Sequence, residues 1–194
     1  LLVAIVPMLI VAGLGYYNYG NLVEKTELRQ LEWQIDGKLK SIEHMVESLT
    51  SIVEFTARGD RYQELQRGNN LESLFRRLKR QYVFFADLGV INQQGIQEEY
   101  YGPYGLTGAN YVNEVWFKEV LVRDMYISHV YTGYRQVPHF SIAVSSTDPA
   151  TNQLWVLRAT IDAATLQRFV NTIKTNASDD LFIINDEGVL QTDS

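Results

Sequence analysis

The sequence predicts an α+β fold: a long N-terminal helix followed by one antiparallel sheet with helices on its face. Three observations predict it. Leu28, Leu31, Ile35, Leu39, Ile42, Val46, Leu49 and Val53 step by three or four residues, and no proline interrupts residues 22–57. From residue 82 the pattern changes to short apolar, β-branched runs separated by Gly, Pro, Asn and Asp. The chain order of helix, helix, two strands, short helix and three strands packs as a single sheet covered by its helices.

At 194 residues the chain holds one full domain and a fragment of another. Apolar residues make up 46% and charged residues 21%, an ordinary globular balance. The net charge of −6 and the lack of a large basic cluster argue against a nucleic-acid partner. Twelve tyrosines suit mixed apolar and polar surfaces and a wet aromatic pocket. Without cysteine there is no disulfide framework, thiolate nucleophile or Cys-based zinc site.

Residues 1–14 carry no charge, and the uncharged stretch reaches Tyr19. Nineteen helical residues cover ~28 Å, close to a hydrocarbon core of ~30 Å. Tyr16, Tyr17 and Tyr19 fall where interfacial rings are expected. Residues 1–19 are therefore expected to be a transmembrane segment in contact with the lipid bilayer. A signal peptide and a buried core helix are the alternatives, although no small-residue cleavage site stands out before Leu22. A chain opening at Leu1 without Met or a basic flank is expected to lack its true N-terminus.

Residues 20–57 are expected to form a stalk helix, ~54 Å long over 22–57, with Asp36 and Lys40 paired one turn apart. Two helices broken near Gly37 are the alternative. Gly59 and Asp60 end it. A short helix over 71–81, capped by Asn69 or Asn70, carries Leu71, Leu74, Phe75 and Leu78 on one side. Arg76, Arg77, Lys79 and Arg80 form its solvated basic face. VFFADLGVIN and IQEEYY read as a hairpin turned at QQG, and 103–112 as loop. Glu114 to Val122 reads as a helix bearing Trp116 and Phe117. MYISHVYTGY, HFSIAVSST and LWVLRATID read as three more strands, with a turn at Asp148 to Asn152. Ala163 to Ile173 returns to helical spacing, and Asn176 to Asp179 is loop. LFIIN-DEG-VLQT repeats the first hairpin's layout and reads as the start of a second copy.

Strand parity sorts the polar residues. In LWVLRATID, Trp155, Leu157, Ala159 and Ile161 share the core face. Leu154, Val156, Arg158, Thr160 and Asp162 share the other, which changes from apolar to charged as the wall of a polar pocket would. Arg158 and Asp162 either meet water, pair with neighbours, or hold a ligand. Tyr131, Gly133 and Arg135 share one parity, continued by His139 and Ser141. Arg135 offers a fork suited to carboxylate, and His139 a group able to titrate near neutrality or to serve as a structural hydrogen bonder.

Enzyme signatures are missing. The histidines are His44, His129 and His139, without zinc spacing, and GxSxG, GxGxxG and GxxxxGK[ST] do not occur. The fragment is expected to be non-catalytic and to hold no cofactor.

The run YYGPYGLTGANYVNEVWFKEV, then YISHVYTGYRQVPHFSIAV, LWVLRATID and LFIINDEGVLQT, resembles the double Cache extracytoplasmic sensor domains of bacterial receptors over residues 20–194. The Gly-Tyr-Arg, Pro-His-Phe and Arg-Ala-Thr-Ile-Asp blocks look closest to versions on membrane sensor histidine kinases. The resemblance implies a PAS-like antiparallel five-stranded sheet with the long helix packed on it. It implies a membrane-distal sensor domain over 58–179 and the start of a truncated membrane-proximal PAS-like domain at 180–194. It further implies a periplasmic or extracellular sensor on a plasma-membrane receptor, with homodimerisation through the long helix and a small polar ligand. The parent would be an ATP-dependent protein-histidine kinase, with ATP and Mg in its missing kinase region and a response regulator as partner. A methyl-accepting chemoreceptor is the alternative. A protein-binding ectodomain without a small ligand is a third class, and a hydrolase using His139 an outsider.

Amino-acid-binding members of that family present an aromatic residue, an arginine two places before a tryptophan, a tyrosine on a middle strand and an aspartate ending the last strand. Tyr111, Trp116, Tyr131 and Asp162 match this arrangement, and Glu114 stands in the arginine position. Glutamate there would repel a ligand carboxylate that arginine grips with two bonds. Arg135, His139 and Arg158 are the candidates to replace that charge. The expected ligand-binding set is Tyr111, Trp116, Tyr131, Arg135, His139, Arg158 and Asp162.

Overall fold

A computed structural model describes residues 2–59, 62–174 and 180–193. The expected ends at Asp60 and in the loop 176–179 lie outside the described residues. The elements are α1 (Leu2–Gly59), α2 (Tyr62–Leu65), α3 (Asn70–Gln81), β1 (Phe85–Asn92), β2 (Gln97–Tyr101), α4 (Val115–Arg123), β3 (Met125–Ile127), β4 (His139–Thr147), β5 (Leu154–Asp162) and α5 (Ala163–Thr172), with a 3₁₀ turn at Gly133–Arg135. The chain divides into two compact units between His44 and Met45.

The first unit is helical, and Gly37 does not interrupt it. Lys40 Nζ meets Asp36 Oδ2 at 2.8 Å, the expected pairing across one turn. Leu31, Ile35 and Leu39 are exposed here, as is Trp33. Among the described residues no helix is long and apolar enough to cross a membrane. The side chains of most of residues 1–19, where that segment was expected, lie outside the description.

The second unit is built on an antiparallel five-stranded sheet of order β2-β1-β5-β4-β3. Its centre is β5, whose alternation separates two cores. Trp155, Leu157, Ala159 and Ile161 join Leu88, Val90, Phe140, Ile142 and Val144 on one face. Leu49, Val53 and Ala57 of α1, Leu71 and Leu74 of α3, and Leu166 of α5 cover that face. Burying this apolar area is what holds the end of α1 to the sheet. On the opposite face Val156 joins Ile91, Ala143, Tyr111 and the α4 residues Trp116, Phe117 and Val120.

Local chemistry explains the turns. Asn92 Oδ1 accepts from the backbone N–H of Gln94 and Ile96, and Gly95 takes φ +83° to close the first hairpin. Asp148 Oδ1 accepts from Ala150 N and Thr151 N at the β4–β5 turn.

Two expectations need correction. The helix start at Asn69 carries no side-chain cap bond; Asn70 instead donates to the Glu64 carbonyl at 2.7 Å, tying α3 to α2. Of the run MYISHVYTGY only Met125–Ile127 is strand; Tyr131 forms an isolated antiparallel bridge to His139, and Gly133 (φ +48°) opens the 3₁₀ turn. At 180–193 the expected hairpin closes through the antiparallel Ile184↔Leu190 bridge, with Asn185 N donating to Val189 O and Gln191 N to Ile183 O, around a turn in which Gly188 N donates to Asn185 O.

Trp155 is fully buried and its ring centroid lies 5.7 Å from that of Tyr62. Trp155→Ala is expected to cost about 3–5 kcal/mol, read as a lowered midpoint in urea with an unchanged slope.

Candidate functional site

The face of the sheet under α4 and the 103–112 loop mixes apolar and charged groups, and register dictates which. Gly89, Arg158 and Ala143 lie abreast on β1, β5 and β4, and Asp87, Thr160 and Ser141 form the next row. Gly89 is needed there: a Cβ would stand 2.1 Å from Gln97 Oε1, whose side chain crosses that position from β2. A register shift between Phe85 and Asp87 turns Phe85 into the helix-side core while Asp87 stays on the polar face.

Two guanidinium groups meet the Asp87 carboxylate. Arg135 Nε stands 3.3 Å from Asp87 Oδ2, and Arg158 Nη2 stands 3.5 Å from Asp87 Oδ1. The three side chains are at most 1% exposed, so each charge depends on the others rather than on water. Arg135 Nη2 also pairs with Asp162, and the Tyr100 hydroxyl donates to Asp87 Oδ2 at 3.3 Å. Burial works against the charge of Arg158, but Asp87 and the flanking tyrosines outweigh it and hold the guanidinium charged.

Aromatic rings complete the enclosure. Arg135 lies 4.3 Å over the Tyr104 ring, and Arg158 lies 4.7 Å over Tyr111 and 5.9 Å over Trp116. Tyr111 and Trp116 pack against each other at 5.1 Å. The Tyr131 hydroxyl bonds Ser141 Oγ at 3.0 Å, and its ring rests 4.3 Å from His139. Burial raises the hydroxyl pKa of both Tyr111 and Tyr131, with Arg158 opposing, so both stay protonated donors.

All seven residues expected to bind ligand fall on this face or its rim. Tyr111, Trp116, Arg135 and Arg158 enclose its centre, Tyr131 and His139 stand at one side, and Asp162 ends β5 at the rim. Arg135 arrives by a different route from the one expected. It sits on the 3₁₀ turn, not on a strand continuing the parity of Tyr131. Glu114 is at the N-terminus of α4 without a cap bond. Sequence reasoning missed Asp87, Gln97, Tyr100 and Tyr104. The signal for Asp87 was available, since a lone carboxylate inside an apolar strand demands a buried partner.

Of the two roles open to His139, titration near neutrality and structural hydrogen bonding, the structure favours the second. Burial pushes its imidazole down to about 4, and Arg135 and Arg158 add to this against the Val137 carbonyl, which lies 2.7 Å from Nδ1. The ring is a neutral structural group that donates through Nδ1. Among the described residues no cluster could hold a metal ion.

No family model and no curated protein matches the chain. Its fold is that of PAS-like sensor domains from bacterial receptors. It resembles the V. cholerae histidine kinase DctB sensor domain with a TM-score of 0.66 at 13% identity, covering 87% of this chain and 67% of that one. The Pseudomonas aeruginosa PAO1 amino acid chemoreceptor PctB ligand-binding domain, solved with L-Gln, gives 0.61 at 11%, covering 81% and 64%. The Campylobacter jejuni chemoreceptor Tlp3 domain, solved with 4-methylisoleucine, gives 0.57 at 14%, covering 80% and 66%. The chain spans about two thirds of these three chains, and 27% of a Desulfohalobium retbaense extracellular ligand-binding receptor.

Two outcomes follow from the geometry. Asp87→Ala strands the buried Arg158 guanidinium and leaves Arg135 with Asp162 alone, and is expected to cost about 3–5 kcal/mol in denaturant unfolding. His139 binds its proton less readily folded than unfolded, so between its unfolded pKa of 6.5 and about 4 the unfolded chain holds more protons. Stability is therefore full above pH 6.5 and falls as pH drops toward 4, by up to about 3 kcal/mol from this group. Between pH 6.5 and 4 the melting temperature of the wild type should fall more steeply than that of His139→Gln, which lacks the titrating ring.

Proposed function

We propose that this chain is the extracytoplasmic input region of a bacterial transmembrane receptor, and that the α4 face of its sheet binds a small polar molecule. One observation carries the reading. On that face Trp116 Nε1 and Thr160 Oγ1 are buried with no hydrogen-bond partner among the described residues, and Arg135 and Arg158 keep donors to spare beyond Tyr104, Tyr111 and the carboxylates. A stable core rarely leaves so many polar atoms unpaired in one place, whereas a recognition site does so to receive a ligand. Tyr111, Trp116, Tyr131, Arg135, His139, Arg158 and Asp162 remain the binding set, with Asp87 as the carboxylate that holds both arginines in position.

Binding under α4 alters how the sheet packs on residues 45–59 of α1, and this biases a membrane-linked output between two states. The parent is a sensor histidine kinase, with autophosphorylation and transfer to a response regulator as its output. Support comes from the resemblance of the Gly-Tyr-Arg and Arg-Ala-Thr-Ile-Asp blocks and from the likeness to a histidine kinase sensor domain. The chemoreceptor reading rests on equally good fold likenesses. The exposed row Leu31, Ile35, Leu39 suits pairing with a second copy through α1, and residues 1–19 supply the membrane anchor.

A thermal-shift screen of the ectodomain against small acids, amines and amino acids tests the reading. At least one compound is expected to raise the melting temperature by several degrees, and Arg158→Met to abolish that shift while leaving a cooperative melt. A screen with no hit that responds to Arg158 would end it.

A further inference from the structure

Tyr131 belongs to the candidate site, and the residue before it is tied elsewhere. Past the end of β3 the chain runs on beside β4: Ser128 N donates to Ser141 O at 3.0 Å and Tyr131 N to His139 O at 2.8 Å. Between these two bonds Val130 N donates to a side chain 61 positions further on, Gln191 Oε1, at 2.7 Å. The side chains part in the same way. Tyr131 packs against the apolar cluster under α4, whereas Val130 packs against the helix-side core, as does Ile183. Site and hairpin thus meet at adjacent residues of one segment.

The 183–193 hairpin is held to the rest of the unit by ties at its margins. Asp193 N donates to Gln167 Oε1 of α5 at 2.7 Å, and His129 Nε2 stands 3.6 Å from Asp186 Oδ1. Gln191 N donates to Ile183 O and Ile183 N to Thr192 Oγ1, so Gln191 is fixed within the hairpin it anchors. Beside these ties Val130, Val137, Pro138, Ala163 and Leu190 line an open cleft of about 740 Å³. Across a cleft, displacement is not passed on by close packing, so it must pass through the ties. The Gln191 bond is the tie that lands next to a site residue. Only φ and ψ of Val130 separate the amide that bonds Gln191 from the amide that bonds His139 O, which leaves little slack between them. The Tyr131–His139 pair also cinches the neck of the loop that carries Arg135 inward. His139 N donates back to Tyr131 O at 2.9 Å, and Gly133, at φ +48°, leaves room for the Tyr131 ring, which a Cβ there would meet at 2.8 Å.

We propose that residues 129–131 couple the candidate site to the 183–193 hairpin, with Gln191 as the positioning residue that carries the coupling through the Val130 amide. The inference rests on the reading of the α4 face as the ligand site and names a route by which the state of that site is passed on. An occupant that shifts Tyr131 or Arg135 shifts the Val130 amide, and the hairpin follows through Gln191. This route leaves the sheet beside β4, separate from the contact with residues 45–59 of α1. Adjacency alone does not establish coupling, so the test measures the response of one place to a change at the other.

Amide hydrogen exchange of the whole chain, resolved by residue and without added ligand, tests this. Tyr131→Phe keeps the ring but removes the 3.0 Å bond to Ser141 Oγ. It is expected to speed exchange at Val130, Asn185 and Gln191 by about tenfold, while the amides of α3 and of the 148–152 turn keep their rates. Arg135→Lys, which disturbs the site from within the loop, is expected to act on the same amides. In Gln191→Ala the hairpin exchanges faster at the outset, and adding Tyr131→Phe is expected to change it by less than about twofold. Gln191→Glu keeps an acceptor for Val130 N and is expected to restore the response. A hairpin response no larger than that of α3, or one that persists at full size in Gln191→Ala, overturns the proposal. Both results leave the ligand reading standing, because that reading answers to the compound screen.

Discussion

Burying two guanidinium groups against one sheet requires carboxylates within the same dry volume, and Asp87 meets that requirement for both Arg135 and Arg158. Neither arginine reaches water. Without the Asp87 charge Arg158 would be a buried cation with no counter-charge and Arg135 would keep only Asp162 at the rim, a far larger penalty than any single apolar contact could offset. The surrounding structure serves this arrangement. The register shift in β1 frees Asp87 from the helix-side core, Gly89 leaves room for Gln97, and the cinched 131–139 loop brings in Arg135.

The two faces of the sheet divide the labour of the domain. The helix-side face holds the end of α1, α3 and α5 chiefly by apolar area, with Tyr101 to Glu72 and Lys79 to the Phe85 carbonyl adding polar ties to α3. The α4 face pairs a smaller apolar cluster with charged and aromatic groups. Because β5 contributes alternate residues to both cores, a change in packing on one face is felt on the other through a single strand with no slack. Trp155 and Val156 are neighbours in sequence yet belong to different cores. This adjacency sets the candidate site and the end of α1 on opposite faces of one strand.

Much of the fold was legible because it depends on local periodicity. The three-and-four spacing along α1, the β-branched runs of β1 and β5 and the turn chemistry at Asn92–Gly95 and Asp148–Asn152 are all short-range signals. The alternation of LWVLRATID placed Arg158 opposite the apolar core face, where the structure also has it. The third strand was over-read because Tyr-Thr-Gly-Tyr-Arg has the composition of an extended segment. Only the positive φ of Gly133 and Gln136, stabilised by contacts with His139 and Tyr131, makes it a turn. Asp87 was overlooked for a related reason: its partners lie 48 and 71 positions further along the chain, at Arg135 and Arg158.

The sequence by itself determined the order and type of most elements and the polar face of β5 with Arg158 and Asp162, since these follow from spacing within a single segment, while Tyr111 and Trp116 became candidates only through the family resemblance. Tertiary structure alone decided which charges neutralise one another. It set Asp87 between two arginines, gave Asp162 to Arg135 and shut His139 away from the solvent it would need to titrate near neutrality. Electrostatic pairing depends on distances across strands and loops, and no pattern within one strand encodes those distances.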